Sequence, residues 1–431
     1  MIDRGAASAA EAARAIAAGR LGSEELVRAC LARIEVREPA VQAWQFLDPE
    51  QALAQARARD AERTAAGGRA LGPLHGVPVG IKDIIDTADM PTENGSVLHA
   101  GRQPTQDAQV VAMLRAAGAV ILGKTVTTEF ATYHAGKTRN PHDPGRTPGG
   151  SSSGSAAAVA DGMLPLALGT QTNASIVRPA AYCGVHGFKP SHGLIPRDGI
   201  LAMSPSLDAV GLFARTLEDI ALLAQTLCPG AGFETALKGD PPPPRLAFVK
   251  TPVWDRTDAS TRAAFGRLVD TLGDDCDEVV LPAWIVDAWD WHRTIMEAEM
   301  AVALDREWRT GRDRMSPSLQ AQLDRGHAIS ATDHQQALAQ RPRAVAALDV
   351  VFSRYDAILT PATTGTAPPW DSTGDPAFGT LWSLCGVPAI SLPLLHGDDG
   401  LPLGVQWVGA PGSDAALLRT ARWLEARLRR T

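Results

Sequence analysis

Gly149-Gly150-Ser151-Ser152-Ser153-Gly154-Ser155-Ala156-Ala157-Ala158 leads from two glycines into an alanine-rich segment, and Leu164-Pro165-Leu166-Ala167-Leu168-Gly169-Thr170-Gln171-Thr172-Asn173-Ala174-Ser175 follows closely behind it. The first stretch reads as a turn entering a helix over Ser155–Ala160, the second as a short buried strand over Leu164–Leu168 followed by a turn of small residues. Serine hydroxyls and free backbone N–H groups at a helix start converge on a place suited to developing negative charge. A small-residue turn after a strand can likewise aim several N–H groups at one point, which an oxyanion hole requires. Two plainer readings stand beside these: a flexible Gly/Ser linker, and an ordinary turn into a capped helix.

Upstream, Gly76-Val77-Pro78-Val79-Gly80-Ile81-Lys82-Asp83-Ile84 places a lysine at the end of an apolar run. If that lysine is buried, desolvation lowers its pKa, and a shift of about 3 units favours the neutral amine by roughly 4 kcal/mol. The plainer alternative pairs Lys82 with Asp83 or Asp86 at the surface. Val77–Ile81, Ala119–Leu122 and Leu164–Leu168 read as buried strands alternating with helices over Asp107–Ala117 and Ser155–Ala160, which predicts an α/β sandwich. Before this region, the capping-box pair Ser8 and Glu11 and the stripe Leu26, Cys30, Ile34 predict three helices in the first 65 residues. After it, Thr216 starts a helix over Leu217–Leu227, and Pro241–Pro244 form a surface loop. Leu246–Val249, Ile358–Leu359, Ala389–Leu392 and Leu403–Val408 read as strands. Ala283–Val351 reads as mostly helical with a break near Pro342. Leu417, Ala421, Leu424 and Leu428 mark a final helix. We read one domain over 1–431, with a helical layer (1–65), a region carrying the chemistry (72–220) and a variable, pocket-building region with the C-terminal sheet and helix (245–431).

Composition limits the options. Of 431 residues 45% are hydrophobic, and 41 Lys plus Arg against 48 Asp plus Glu leave a net charge of −7 without long single-sign runs, which speaks against nucleic-acid partners. No apolar run approaches the roughly 20 residues of a membrane span, and no secretory signal is visible, so a cytoplasmic location is expected. The five cysteines are scattered without metal-ligand spacing, so mostly buried thiols in a reducing compartment are expected. Two further motif matches name other classes. Gly118-Ala119-Val120-Ile121-Leu122-Gly123-Lys124-Thr125 fits the Walker A expression, yet its middle is an apolar strand-like run instead of a polar loop. Gly150-Ser151-Ser152-Ser153-Gly154 fits Gly-x-Ser-x-Gly, which would make Ser152 the nucleophile of an α/β-hydrolase, yet the Pro/Gly-rich Asn140–Pro148 before it is a poor strand.

Taken together, Lys82, the 149–155 segment and Gly169–Gly187 resemble the amidase signature family, and most closely its stand-alone bacterial amidases. The likeness extends from Gly72-Pro73-Leu74-His75-Gly76-Val77-Pro78 through Gly118–Phe130 to Gly187-Phe188-Lys189-Pro190, and resumes in Tyr355–Pro361, Gly386-Val387-Pro388-Ala389 and Gly404-Val405-Gln406. The resemblance implies an α/β fold with a mixed sheet sandwiched between helices, and a Ser-Ser-Lys triad without metal or cofactor: Ser175 as nucleophile, Ser151 as bridging serine, Lys82 as base. It also implies a cis peptide before Ser151, and an oxyanion hole at Thr172, Asn173 and Ala174. Asn173-Ala174 stands where many relatives have Gly-Gly, and Ala at positive φ is strained. Gln171 replaces a common Asp, and Arg178 sits three residues after the nucleophile instead of two. The expected activity is hydrolysis of a small to medium-sized amide, with carbamate (urethane), anilide or ester cleavage as variants. Trp284, Trp289, Trp291, Trp370 and Trp382 are candidates to line the pocket, with core filling as the alternative. The oligomeric state is open, a homodimer being one option. Two other readings are the A subunit of a tRNA-dependent amidotransferase and a catalytically silent binding protein.

Overall fold

The computed structural model describes residues 7–239 and 241–428. Eleven strands form one sheet: β1 (Trp44–Leu47), β2 (Pro78–Lys82), β3 (Val120–Thr125), β4 (Leu166–Gln171), β5 (His186–Lys189), β6 (Ala209–Ala214), β7 (Leu246–Val249), β8 (Cys276–Val279), β9 (Ala357–Pro361), β10 (Ala389–His396) and β11 (Pro402–Val408). Their spatial order is β1-β3-β2-β4-β6-β5-β10-β11-β9-β7-β8. The sheet is mixed, as expected: β2 runs parallel to β3 and β4, and β7 to β8 and β9, while the six other pairings are antiparallel. Every residue of β2, β3 and β4 is buried. That explains why these strands read as near-continuous apolar runs instead of alternating ones.

The capping box at Ser8 and Glu11 forms, and Thr216 accepts from the Asp219 amide to start the helix Leu217–Leu227. Three helices occupy the first 66 residues, but β1 lies between the second and third, pairing with β3 at the sheet edge. Four residues between two helix ends are too few to carry a strand period, so this edge strand was not foreseen. The expected break near Pro342 is also absent: the helix runs unbroken over Ala331–Phe352. Ala337 before the proline and Ala344, Leu348 and Val351 after it are all buried. That packing on both sides outweighs the roughly 3 kcal/mol a mid-helix proline costs. The interruptions of this helical region fall instead near Arg312–Arg314 and before Ser330.

The Gly118–Thr125 match is a strand, and Lys124 is fully buried. Its Nζ donates to the Ile85 carbonyl at 2.9 Å, to the Pro91 carbonyl and to Thr92 Oγ1, and lies 3.5 Å from Asp83. It ties β3 to the 83–92 loop and cannot cradle a phosphate. Lys124→Met is expected to lower stability by about 3–5 kcal/mol, because Asp83 then stays buried without a cation. Urea unfolding checks this, and an unchanged midpoint would contradict it. All five cysteines are buried free thiols, and no helix among the described residues is long and apolar enough to cross a membrane.

Candidate active site

β2 ends on Lys82, whose side chain is entirely buried. Its Nζ donates to Ser151 Oγ at 2.7 Å and to Thr170 Oγ1 at 2.9 Å. Neither Asp83 nor Asp86 pairs with it: Asp83 lies beside Lys124, and Asp86 is bound by Arg102. Burial pushes the Lys82 pKa well below the ordinary lysine value, opposed only by the more distant charge of Asp208.

Ser151 follows a cis peptide bond from Gly150 and precedes the helix Ser153–Ala160. The Arg178 guanidinium donates from Nη2 to the Gly150 carbonyl at 2.7 Å. Gly149, at φ +83°, packs so closely on Pro179 that a Cβ would come within 2.8 Å of its Cα. A glycine is therefore required by both dihedral and contact. Ser152 points away from this centre, donating to the Thr170 carbonyl at 3.1 Å.

β4 leads into the turn Thr172–Ser175, which is held from three sides. Gln171 Oε1 accepts from the Ile176 and Val177 amides at 2.9 and 3.1 Å while its Nε2 donates to Ser383 Oγ. Thr172 Oγ1 donates to Asp208 at 2.6 Å, and Asp208 also accepts from the Met203 and Ser204 amides. His292 Nε2 lies 3.0 Å from the Thr172 carbonyl. Burial pushes the His292 pKa down to about 4, so a neutral imidazole donates this bond. Ala174 adopts φ +59°, so the position keeps the left-handed angle in spite of its methyl group. The amides of Asn173, Ala174 and Ser175 make no hydrogen bond to the protein among the described residues. Ser175 is 6% exposed and lines a pocket together with Met203, Met296 and Met300. Tyr133, Asn173 and Gln322 add polar groups to the wall, and no Asp, Glu, Lys or Arg lines it.

The structure thus brings Lys82 and Ser151 into direct contact and sets Ser175 on the neighbouring turn, although no hydrogen bond joins Ser151 to Ser175 among the described residues. The five tryptophans do not line the pocket. Trp382 is core, Trp284, Trp289 and Trp291 pack against that core, and Trp370 stacks under Arg139. Methionines fill the pocket wall instead, because the helix Ala288–Ala303 turns Met296 and Met300 inward. Asp208 and His292 had no signal in the sequence, since each meets the turn from a distant segment. Gln171 was visible as a departure but carried no role.

The amidase family model matches residues 25–418. The chain belongs to the amidase signature family. This amidase-family chain is 35% identical over 456 residues to the A subunit of the glutamyl-tRNA(Gln) amidotransferase of Chloroflexus aggregans, covering 94% of this chain and 93% of that one. It is 34% identical over 441 residues to a putative amidase of Mycobacterium tuberculosis, covering 95% and 91%. Among solved structures, the native peptide amidase of Stenotrophomonas maltophilia superposes with a TM-score of 0.84 at 30% identity, covering 98% and 97%. A chain from a vestigial protein complex bearing on the origins of an s-triazine catabolic enzyme superposes with a TM-score of 0.90 at 28% identity, covering 97% and 98%. The chain is accordingly a hydrolase of this family, with its mixed sheet between helices.

Proposed function

We propose that this amidase-family hydrolase cleaves a small to medium-sized, uncharged amide through an acyl-enzyme on Ser175, with Ser151 as proton relay and Lys82 as base. The observation that carries the reading is a fully buried lysine whose hydrogen-bond partners are two hydroxyls and no carboxylate. Such an amine loses its proton readily and becomes a base. Ser175 Oγ bonds to the substrate carbonyl carbon as its proton passes to Ser151 and the Ser151 proton passes to Lys82. The unpaired amides at 173–175 support an oxyanion hole for the resulting tetrahedral oxygen. The C–N bond then breaks as the proton returns through Ser151 to the leaving nitrogen. Water attacks the acyl ester by the same relay and frees Ser175. The Ser151 to Ser175 contact must tighten as substrate enters, as catalytic hydrogen bonds commonly do. Carbamates, anilides and esters fit the same steps, and a cytoplasmic setting suits the free thiols.

The first curated relatives favour a second reading, in which the chain is the A subunit of a tRNA-dependent amidotransferase and works with partner subunits. Releasing ammonia from glutamine requires binding its ammonium and carboxylate groups. A pocket wall without a charged side chain supports the stand-alone amidase instead. A hydrolysis screen over aliphatic amides, anilides, carbamates, nitrophenyl esters and glutamine separates the two. Turnover of neutral compounds by the isolated chain, lost in Ser175→Ala, is expected. Activity confined to glutamine and dependent on added subunits would support the second reading. Fluorophosphonate labelling of Ser175 would dismiss a silent binding protein.

The pH profile offers a further check. Burial raises the Asp208 pKa to about 6, so its carboxylate forms only above that pH, and its negative charge favours the protonated form of Lys82. Asp208→Asn removes that charge. The acid limb of kcat/KM is therefore expected to move to lower pH, with a smaller kcat from the loosened Thr172 turn. An acid limb that stays in place or moves upward would contradict this coupling.

A further inference from the structure

Gln322 lies on the helix Pro317–Ala328, is only 4% exposed and lines the Ser175 pocket. Its Oε1 is buried without a donor, and its carboxamide makes no hydrogen bond to the protein among the described residues. Arg325 and Asn173 are committed elsewhere. Arg325, one turn further along the same helix, binds Glu297 with two donors. Asn173 Oδ1 accepts from Thr380, and its Nδ2 donates to Tyr133. A buried carboxamide left unpaired beside three methionines is unfavourable, and native interiors rarely leave one so. Whichever way the amide is turned, it offers an acceptor and donors side by side. Its best complement is a group of the same kind, which returns a donor to the oxygen and an acceptor to the nitrogen. A carboxylate would return only acceptors and would meet no cation on the wall.

We infer that Gln322 is a specificity-determining residue that pairs with a second, uncharged amide, urea or carbamate group carried by the substrate away from the bond that is cut. This rests on the amidase reading above and narrows it to substrates with two such groups. The test uses 4-nitroanilides of succinamic, glutaramic and adipamic acids, their methyl-ketone isosteres, and the corresponding half acids. The wild-type protein is expected to prefer amide over ketone by about tenfold or more in kcat/KM at one chain length, as sites built to hydrogen-bond a substrate group do. Gln322→Leu is expected to bring that ratio to about one, with the loss in kcat/KM falling far more on the amide than on the ketone, which a merely structural role would not do. The inference is overturned if the wild type shows no amide preference at any length, a result that needs no variant to fold. It is equally overturned if Gln322→Leu keeps the preference or loses both rates alike, or if the half acids are the better substrates. Hydrolysis of none of these compounds while Ser175 is still labelled by a fluorophosphonate also overturns it. No hydrolysis and no labelling would defeat the hydrolase chemistry itself.

Discussion

Lys82→Met is expected to lower kcat/KM at neutral pH by about 10³-fold or more while leaving the protein folded. Methionine approximates the lysine stem in length and shape, and the site is fully buried, so the packing survives. What disappears is the amine that touches Ser151 Oγ and Thr170 Oγ1. No other basic nitrogen is hydrogen-bonded to either hydroxyl among the described residues. Lys82→Arg supplies the control, because a guanidinium keeps all its donors but cannot release a proton in this pH range. Both variants are expected to be slow on nitrophenyl esters and to label slowly with a fluorophosphonate, with thermal unfolding of Lys82→Met near that of the wild type and that of Lys82→Arg lower, because its charge is buried without a carboxylate. A Lys82→Arg protein as active as the wild type would end the proposal that this side chain accepts a proton.

Gly379→Ala is expected to reduce kcat/KM by about 10²-fold, the usual scale for displacing a catalytic group by about an ångström. A Cβ on Gly379 would stand 2.5 Å from the Ala174 Cβ and 2.9 Å from its Cα, so the turn carrying Ser175 or the helix Ala377–Cys385 has to move. Overpacking of this kind costs about 1–3 kcal/mol, which most domains survive. The Ala174→Gly change removes the facing methyl and the strain of φ +59°, so the double variant is expected to recover part of the lost activity. Ala174→Gly alone is expected to be nearly neutral, relief of the left-handed strain being offset by the greater freedom of glycine in the unfolded chain. Steady-state kinetics on the four proteins of this cycle measure the coupling. Additive effects would mean that the two residues do not share the space the structure gives them.

The same pair shows how a departure from the usual family pattern is accommodated by a distant segment of the chain. Ala174 replaces a small flexible residue beside the nucleophile and keeps the positive angle, and the room for its methyl comes from a glycine on a helix 205 positions later, counting 379 − 174. Neither residue explains itself in isolation. Asn173 follows the same logic: its side chain is oriented by Thr380 on that helix and reaches Tyr133 at the pocket wall.

Local pattern alone determined the strands 78–82, 120–125, 166–171 and 246–249 to within a few residues, the capping box at Ser8, the helix begun by Thr216 and the burial of the cysteines. These depend on runs, periods and caps, which neighbouring residues carry by themselves. Motif order also selected Lys82, Ser151 and Ser175 as the residues to test. Only the folded chain decided that Lys82 has hydroxyl partners and no acid, that Met296 and Met300 and not the tryptophans wall the pocket, that Gln322 is left unpaired there, and that Pro342 sits inside a continuous helix. The contacts that brace the Ser175 turn span 36 residues to Asp208, 120 to His292 and 212 to Ser383. Hydrogen bonds and burial across such separations leave no period and no spacing in the chain, because they depend on which strands lie side by side, and that order is set by packing the whole sheet at once.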